Sequence, residues 1–430
     1  MEAAILGIVV VMTLLVLGVP IGFAMGGVAI VGMTILIGWN PALSLVGTTL
    51  VTTAQSYELS VIPLFILMGN FVVGAGLSRE LYRMSNAFLG HFRGGLALST
   101  ILASAGFSSV SGSSLGTVAT MSKVAMEPMR NYGYASSLAA GSVASGATLG
   151  ILIPPSVPLI LYGLMTGTDI GRLFLAGILP GLFGVAMYMA TVVVVTARNP
   201  ALGPPSERAS WSERWQSLRG VWGIVVLFLI VIGGIYLGVF TATEAAGVGA
   251  FGAFVFALLR GQLTPRKLLA VFVDCLQITT ALFTVLFGAL MFSSFMNLAR
   301  LPEVLATTIL GSGLSPLLVV LVICIIYIIL GCMLESISMM LLTVPIFFPI
   351  IIGLGFDPVW FGIIVVVVIE ISLITPPVGM NVFVLRSMQP DIQLVTIFRG
   401  VMPFIVADFF RLAILVLIPA WSLFLPNLMR

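Results

Sequence analysis

Two short stretches carry residues whose types and spacing could do chemistry inside an apolar chain. The first is GATLGILIPPSVPLILYG, Gly146 to Gly163, where Pro154 and Pro155 fall in a run otherwise suited to a membrane helix. Proline cannot complete an interior helical turn, and it biases the residue before it toward extended backbone, so Ile153 is predicted to leave the helix. The second is LITPPVGMNVFV, where Pro376 and Pro377 do the same and Thr375 is displaced. A break frees amides and carbonyls that hydrocarbon cannot satisfy, and it survives where it binds something or lines a wet cavity. Freed carbonyls and the negative end of the preceding half-helix suit a small hard cation, which prefers oxygen ligands. The positive end of the following half suits an anion or carboxylate. Candidate substrate contacts are Pro154, Pro155 and Ser156 in the first break and Thr375, Pro376, Pro377 and Asn381 in the second. The bland alternative is a proline kink repaired by water or a hydroxyl.

Each break has a polar counterpart. FSSVSGSSLGTVAT sets Ser108, Ser109, Ser111, Ser113, Ser114 and Thr117 around Gly112 and Gly116. Hydroxyl oxygens can ligate Na+, and glycine lets backbone approach an ion closely; the competing reading is small-residue helix packing. Ser108, Ser113, Ser114 and Thr117, facing Thr148, Gly150 and the carbonyls before Pro154, form one candidate Na+ set. Ser111, Gly112 and Ser113 join the candidate substrate contacts. The second counterpart, MLES at 333–336, carries Glu335 and Ser336, with Ser338 just beyond, and its broken helix carries Glu370, Ser372, Thr375 and Asn381. Intramembrane carboxylates are expensive and usually functional. Glu335 or Glu370 is thus a candidate proton site or Na+ counter-charge, against a structural hydrogen bond or buried pair.

Other polar residues read as structural. Thr243 and Glu244 are expected to cap a helix start, and Asp408 and Arg411, three apart on one helix, to pair. His91, the single histidine, reads as a surface residue. Cys275, Cys324 and Cys332 lie in apolar segments without a CxxC and read as small core residues.

The elements that must position these groups are membrane helices. The 430 residues are 60% hydrophobic and 8% charged, with mean hydropathy +1.22, against about 25% charged in a soluble domain. Too few charges exist to coat a water-facing globule. A β-barrel would need short alternating strands, which are absent. Net charge is +3, giving no sign of a nucleic-acid partner. Glu2 precedes the first apolar run, so a cleaved signal is not expected. Candidate crossings are 59–77, 134–168, 173–197, 221–240, 245–260, 279–299, 359–385 and 400–425. Residues 3–38 break near Pro20 and read as one tilted helix or two short ones, with 42–56 at the interface.

Two regions, 94–129 and 314–352, are too long for one crossing and have polar middles; each is two crossings or a hairpin. Cytoplasmic loops are enriched in Lys and Arg. Arg79, Arg83, Arg93, Lys123, Arg130, Arg198, Arg208, Arg214, Arg219, Arg260, Arg266, Lys267, Arg386 and Arg399 fall on one side only if both regions return to the face they left. The other side then holds Arg172, Arg300 and Arg430. One hairpin opens to each face.

The chain also repeats itself. A shift of 222 residues lays Pro154-Pro155 on Pro376-Pro377, Gly133 on Gly355, Thr148 on Glu370, Asp169 on Asp391 and SGSS at 111–114 on MLES. The first hairpin starts inside and the second outside, so the repeats are inverted, a secondary-transporter pattern. The predicted architecture is an all-α polytopic membrane protein in four parts. Residues 1–58 are N-terminal scaffold. Residues 59–198 are the first repeat, with its broken helix at 134–168. Residues 199–262 form a cytoplasmic loop and linking helices. Residues 263–430 are the second repeat, with its broken helix at 359–385.

FSSVSGSSLGTVAT, EPMRNYGY, GILIPPSVPLILYG, TATEAAGVGA, LLTVPIFFPI and LITPPVGMNVFV together resemble the large membrane subunit (M, DctM-like) of tripartite ATP-independent periplasmic (TRAP) transporters, over essentially the whole chain. The resemblance implies a bacterial inner-membrane symporter driven by Na+, with no organic cofactor. It implies a periplasmic binding protein (P type) that delivers an organic acid such as a sialic acid or dicarboxylate. It also implies a small four-helix membrane subunit (Q type), expected here as a separate polypeptide. Carried onto matching positions, it places one Na+ site between the first tip and the Thr148–Pro154 break and another between the second tip and the Ser372–Pro377 break. Where this chain has Glu335 the family commonly has Asp. It further implies an elevator, with hairpins and broken helices moving against a scaffold and 78–93 and 300–313 as linking arms. The residues alone also allow a Na+-coupled anion symporter without a binding protein, or a channel. An intramembrane enzyme would need acid–base or metal chemistry, and there is no HExxH.

Overall fold

The computed structural model describes residues 1–428 apart from 312 and 333. Met333 of the second tip, one position of the 300–313 stretch and Arg430 of the charge pattern lie outside the described residues. Every regular element among the described residues is a helix. The N-terminal group is α1 (Glu2–Val16), α2 (Ile21–Ile37), α3 (Trp39–Ala54), α4 (Val61–Gly74) and α5 (Leu77–Leu89). There follow α6 (Gly95–Ser111), α7 (Ser114–Asn131), α8 (Ser136–Gly146), α9 (Val157–Thr166) and α10 (Ile170–Arg198). The middle holds α11 (Trp211–Tyr236), α12 (Ala242–Leu259) and α13 (Pro265–Leu298). The chain continues with α14 (Leu301–Gly311), α15 (Pro316–Gly331), α16 (Ser336–Gly353), α17 (Pro358–Ser372), α18 (Met380–Met388), α19 (Leu394–Leu417) and α20 (Ala420–Leu428).

Among the described residues, seven helices are long and apolar enough to cross a membrane by length and composition. The break near Pro20 separates two helices, because Pro20 is the extended residue ahead of α2. Residues 279–299 are the end of a much longer helix. The 34 residues of α13 span about 51 Å at 1.5 Å per residue, well beyond a hydrocarbon core of about 30 Å.

Both regions with polar middles are pairs of packed helices, α6 with α7 and α15 with α16. Gly112, at φ 64, makes the first reversal, a left-handed conformation that only glycine enters freely. The two ends of this pair lie together. Gly94 N–H donates to the Gly203 carbonyl at 2.8 Å, Ala135 N–H to the Leu202 carbonyl at 3.0 Å, and Leu96 N–H to Tyr134 OH at 3.1 Å. The chain therefore enters and leaves the first hairpin at one place, on the 199–210 loop.

The helix breaks fall earlier than the prolines predict. α8 stops at Gly146, a short 3-10 turn covers Leu149–Ile151, and α9 starts only after the cis Pro154-Pro155 bond. α17 stops at Ser372, ahead of the cis Pro376-Pro377 bond and α18. Gly146 and Gly150 have low helix propensity, and carbonyls near the first break find partners outside the helix, so the segment unwinds before Ile153.

Candidate ion and substrate site at the helix breaks

The arms of the hairpins and the halves of the broken helices interleave. α6 packs on the Leu149–Ile151 turn and α15 on α17, while α7 packs on α18 and α16 on α9. Each hairpin thus lays one arm on the break nearer to it in sequence and the other on the half-helix beyond the distant break.

At the first tip, Ser113 caps α7 by accepting from Gly116 N–H at 3.1 Å. Thr117 Oγ1 donates to the Ser113 carbonyl at 2.8 Å and lies 3.2 Å from Ser111 Oγ. Gly116 therefore stands inside the first turn of α7, not at the reversal. Ser108 Oγ reaches across to the break, donating to the Ala147 carbonyl at 3.1 Å. The approach is close: a Cβ added at Gly150 would lie 2.1 Å from Ser108 Cβ. Ser109 turns back to the Gly106 carbonyl at 3.0 Å.

Ser114 joins the two breaks. Its hydroxyl donates to Asn381 Oδ1 at 2.8 Å, and Asn381 Nδ2 donates to the Ala144 carbonyl in α8 at 3.0 Å. Asn381 sits in the first turn of α18, fully buried, and its own N–H donates to the Leu373 carbonyl at 3.0 Å. One amide therefore holds the first tip, the helix before the first break and the backbone of the second.

Two first-break candidates face away from the tip. Thr148 Oγ1 donates to the Ser145 carbonyl at 2.8 Å and lies 3.4 Å from Tyr188 OH on α10. Ser156 caps α9, accepting from Leu159 N–H at 3.3 Å, and donates to the Ile151 carbonyl. Its hydroxyl is spent on the backbone of its own break.

At the second tip, Glu335 is the N-cap of α16. Its Oε2 accepts from Ile337 N–H at 3.1 Å, Ser338 N–H at 3.2 Å and Ser338 Oγ at 3.3 Å; Oε1 lies 3.4 Å from Ser336 Oγ. A carboxylate at a helix N-terminus answers orphan amides and the positive end of the dipole. Here Ser336 and Ser338 turn to Glu335. The first hairpin arm again meets its break closely, since a Cβ at Gly331 would lie 2.2 Å from Ser372 Oγ. Cys332 Sγ reaches the Thr375 and Pro376 carbonyls at 3.8 and 3.5 Å. Ser372 and Thr375 hydroxyls donate back to the Ile369 and Ile371 carbonyls at 2.7 and 2.6 Å.

Glu370 is in a buried pair. It bonds the Arg411 guanidinium, which lies 3.1 Å from Asp408 Oδ1, and all three side chains are 0–1% exposed. Tyr188 OH donates to Asp408 Oδ2 at 2.5 Å. The i, i+3 spacing signalled Asp408 with Arg411; the Glu370 and Tyr188 contacts come from packing of α17 and α10 on α19 and carry no local signal. The cap at the start of α12 is built on Thr241, whose hydroxyl accepts from Glu244 N–H at 3.3 Å while Glu244 returns to Thr241 N–H at 2.8 Å. Thr243, expected there, is buried and not the cap, because the helix begins at Ala242. His91 stacks on Phe92, and the three cysteines are buried and unbridged.

The sequence matches the family model described as tripartite ATP-independent periplasmic transporter, DctM component, over residues 8–421. It is 38% identical to the C4-dicarboxylate TRAP transporter large permease protein DctM of Pseudomonas aeruginosa, covering 92% of each chain. It is 31% identical to the sialic acid TRAP transporter large permease protein SiaM of Vibrio cholerae, covering 96% of each. The fold resembles the Alcanivorax borkumensis YdaH transporter, with TM-score 0.64, 16% identity and coverage of 90% and 89%. These relatives are transport permeases, not enzymes, and the family implies a substrate-binding protein and a small permease partner. The resemblance read from the motifs is thereby confirmed: this multi-pass membrane protein belongs to the DctM family of tripartite ATP-independent periplasmic transporters.

Proposed function

We propose that the chain is the large permease of a Na+-coupled symporter in the bacterial inner membrane, importing an organic acid handed over by a periplasmic binding protein. The observation that carries the reading is the matched pair of interrupted helices, each with a hairpin arm laid against its break. The element order supports inverted repeats: α7 and α16 start at Ser114 and Ser336, and α8 and α17 at Ser136 and Pro358, both pairs offset by the 222 residues seen in the sequence. Gly133 and Gly355, also so related, both have positive φ.

In this reading Na+ is cargo and its ligands are oxygens. Ser108, the carbonyls of 147–153 and Gly150 would serve the first site, with Ser113, Ser114 and Thr117 shaping it. Ser336, Ser338, Ser372, Thr375 and the carbonyls before Pro376 would serve the second. Glu335 acts as the cap that orders the second tip, not as a direct ligand. The substrate carboxylate would sit between the tips, near Ser111–Ser113, the Pro154–Ser156 and Thr375–Pro377 turns, and the amide ends of α9 and α18. Asn381 supports it from beneath, since both ends of its amide are engaged.

The small Q-type subunit would be a separate four-helix chain. Transport by an elevator, with α5 and α14 as arms between a moving pair of hairpins and the scaffold of α2, α4, α12 and α13, fits the packing of α2 on α13 and α4 on α12.

The test is uptake in proteoliposomes holding this chain and the small subunit, with the purified binding protein outside and an organic-acid panel including C4-dicarboxylates and sialic acid. Uptake that needs both an inward Na+ gradient and the binding protein supports the reading. Uptake without the binding protein favours a plain symporter, and uptake without Na+ favours a channel.

A further inference from the structure

Five buried side chains outside the tips connect the two breaks. Thr148 stands at the start of the first break, and Tyr188 OH lies 3.4 Å away. Tyr188 OH donates to Asp408 Oδ2 at 2.5 Å, Asp408 Oδ1 lies 3.1 Å from the Arg411 guanidinium, and that guanidinium bonds Glu370, which sits in the last turn of α17 before the second break. Every member is 0–1% exposed. The guanidinium has a fixed seat: a Cβ at Gly184 on α10 would lie 2.0 Å from Arg411 Nη1. The Tyr188 ring is held edge-on by Phe404, with centroids 5.2 Å apart.

We infer that Tyr188 is a positioning residue: with Asp408 and Arg411 it sets the geometry of both breaks as one unit, so that ion binding at one is felt at the other. The inference rests on the Na+-coupled reading above. The tyrosine hydroxyl has one proton, and it goes to Asp408; what remains toward Thr148 is a lone pair. Thr148 likewise has one proton, placed on Ser145's carbonyl or on Tyr188. A shift of Thr148 when Na+ engages the neighbouring carbonyls therefore changes how Tyr188 holds Asp408. Asp408 in turn shares Arg411 with Glu370, two residues before Ser372. Packed in a dry interior, such a chain moves as a whole, because an unpaired buried polar group is costly. The hydrogen-bond partners of Tyr188 OH are Thr148 and Asp408, and its effect passes through them.

The experiment uses the full chain purified in detergent and follows thermal unfolding in NaCl against choline chloride, with Na+ alone as the probe. Tyr188→Phe keeps the ring and removes the hydroxyl. Expected is a lower melting temperature in choline than wild type, because Asp408 Oδ2 loses its donor, together with about tenfold more Na+ for half-maximal stabilisation and a shallower dependence on Na+. Thr148→Val should give a similar shift, and the double variant should be no weaker than the weaker single one. Wild-type Na+ affinity in Tyr188→Phe overturns the inference, as do shifts that multiply in the double variant. A variant destabilised equally in choline and NaCl, with unchanged Na+ affinity, reduces Tyr188 to packing and also overturns it. Wild-type melting indifferent to Na+ overturns the ion-coupled reading and this inference together.

Discussion

Ser114 and Asn381, 267 residues apart, are joined by a 2.8 Å hydrogen bond that ties the tip of one hairpin to the half-helix beyond the other hairpin's break. The bond gives the molecule a single centre. Arg130 of α7 also bonds Gln389 and Asp391 just past α18, but at the exposed far end of the pair; the buried tip is held by the Ser114–Asn381 bond. With it, and with Asn381 also donating to Ala144, the first tip and both breaks share one register.

Asn381→Ala should therefore damage transport more than stability. Losing one amide leaves the Ser114 hydroxyl and the Ala144 carbonyl unpartnered, about 1–3 kcal/mol for each group left dry. Uptake should fall at least tenfold while the protein still inserts and purifies. Asn381→Asp keeps an acceptor for Ser114 but loses the donor to Ala144 and adds a buried charge, so it should be the worse variant in both yield and uptake. The check is initial-rate uptake normalised to reconstituted protein; wild-type rates in Asn381→Ala would remove Asn381 from the centre of the site.

Close approach yields a second expectation. Gly150→Ala puts a methyl 2.1 Å from Ser108 Cβ and 2.3 Å from the Ser108 carbonyl carbon. Because backbone as well as side chain is in the way, Ser108→Gly should not restore function. Both Gly150→Ala and the double variant should lose most Na+-dependent uptake. Ser108→Ala alone, which removes only the hydroxyl on Ala147's carbonyl, should weaken Na+ dependence without abolishing uptake. A Na+ titration of uptake rates separates the three.

How much of this was legible in the sequence depends on the range of each interaction. The Pro-Pro pairs are local signals and located both breaks. They misplaced the starts: Gly146 ends α8 well before Ile153, because Ser108's hydroxyl, far away in sequence, is available for the Ala147 carbonyl. Charge bias pointed to the first hairpin returning to the face it left; the bonds of Gly94 and Ala135 to the 199–210 loop bring its two ends together. The i, i+3 spacing gave Asp408 and Arg411 but not Glu370, whose pairing depends on α17 lying along α19. The Thr241–Glu244 cap was read with the right glutamate and the wrong threonine; TxxE is the capping-box spacing, and TE is not.

The buried ion pair predicts an asymmetric mutational response. Removing Arg411 leaves two carboxylates in a dry site, and breaking a buried pair in this way costs about 3–5 kcal/mol. Arg411→Met should therefore yield little monodisperse protein. Arg411→Met combined with Glu370→Gln and Asp408→Asn removes all three charges together and should recover much of the yield. Fluorescence-detected size-exclusion profiles make the comparison directly, and equal yields for the single and triple variants would show that charge balance is not what holds α17 to α19.

The second tip supplies the last prediction, which separates a helix cap from an ion's counter-charge. Glu335 accepts two backbone N–H groups at the start of α16. Serine at an N-cap does the same work without charge, whereas alanine does not, a difference of about 1 kcal/mol. If capping is the role, Glu335→Ser should keep at least half of wild-type uptake with unchanged Na+ dependence. Glu335→Asp should behave likewise, since aspartate is among the preferred caps. Glu335→Ala should lose thermal stability and, with a loosened tip, most uptake. If the carboxylate instead balances Na+ directly, Glu335→Ser should be as inactive as Glu335→Ala while Glu335→Asp survives. Uptake of the three variants at low and saturating Na+ distinguishes these patterns, because a missing counter-charge raises the Na+ requirement and a missing cap lowers the amount of ordered protein.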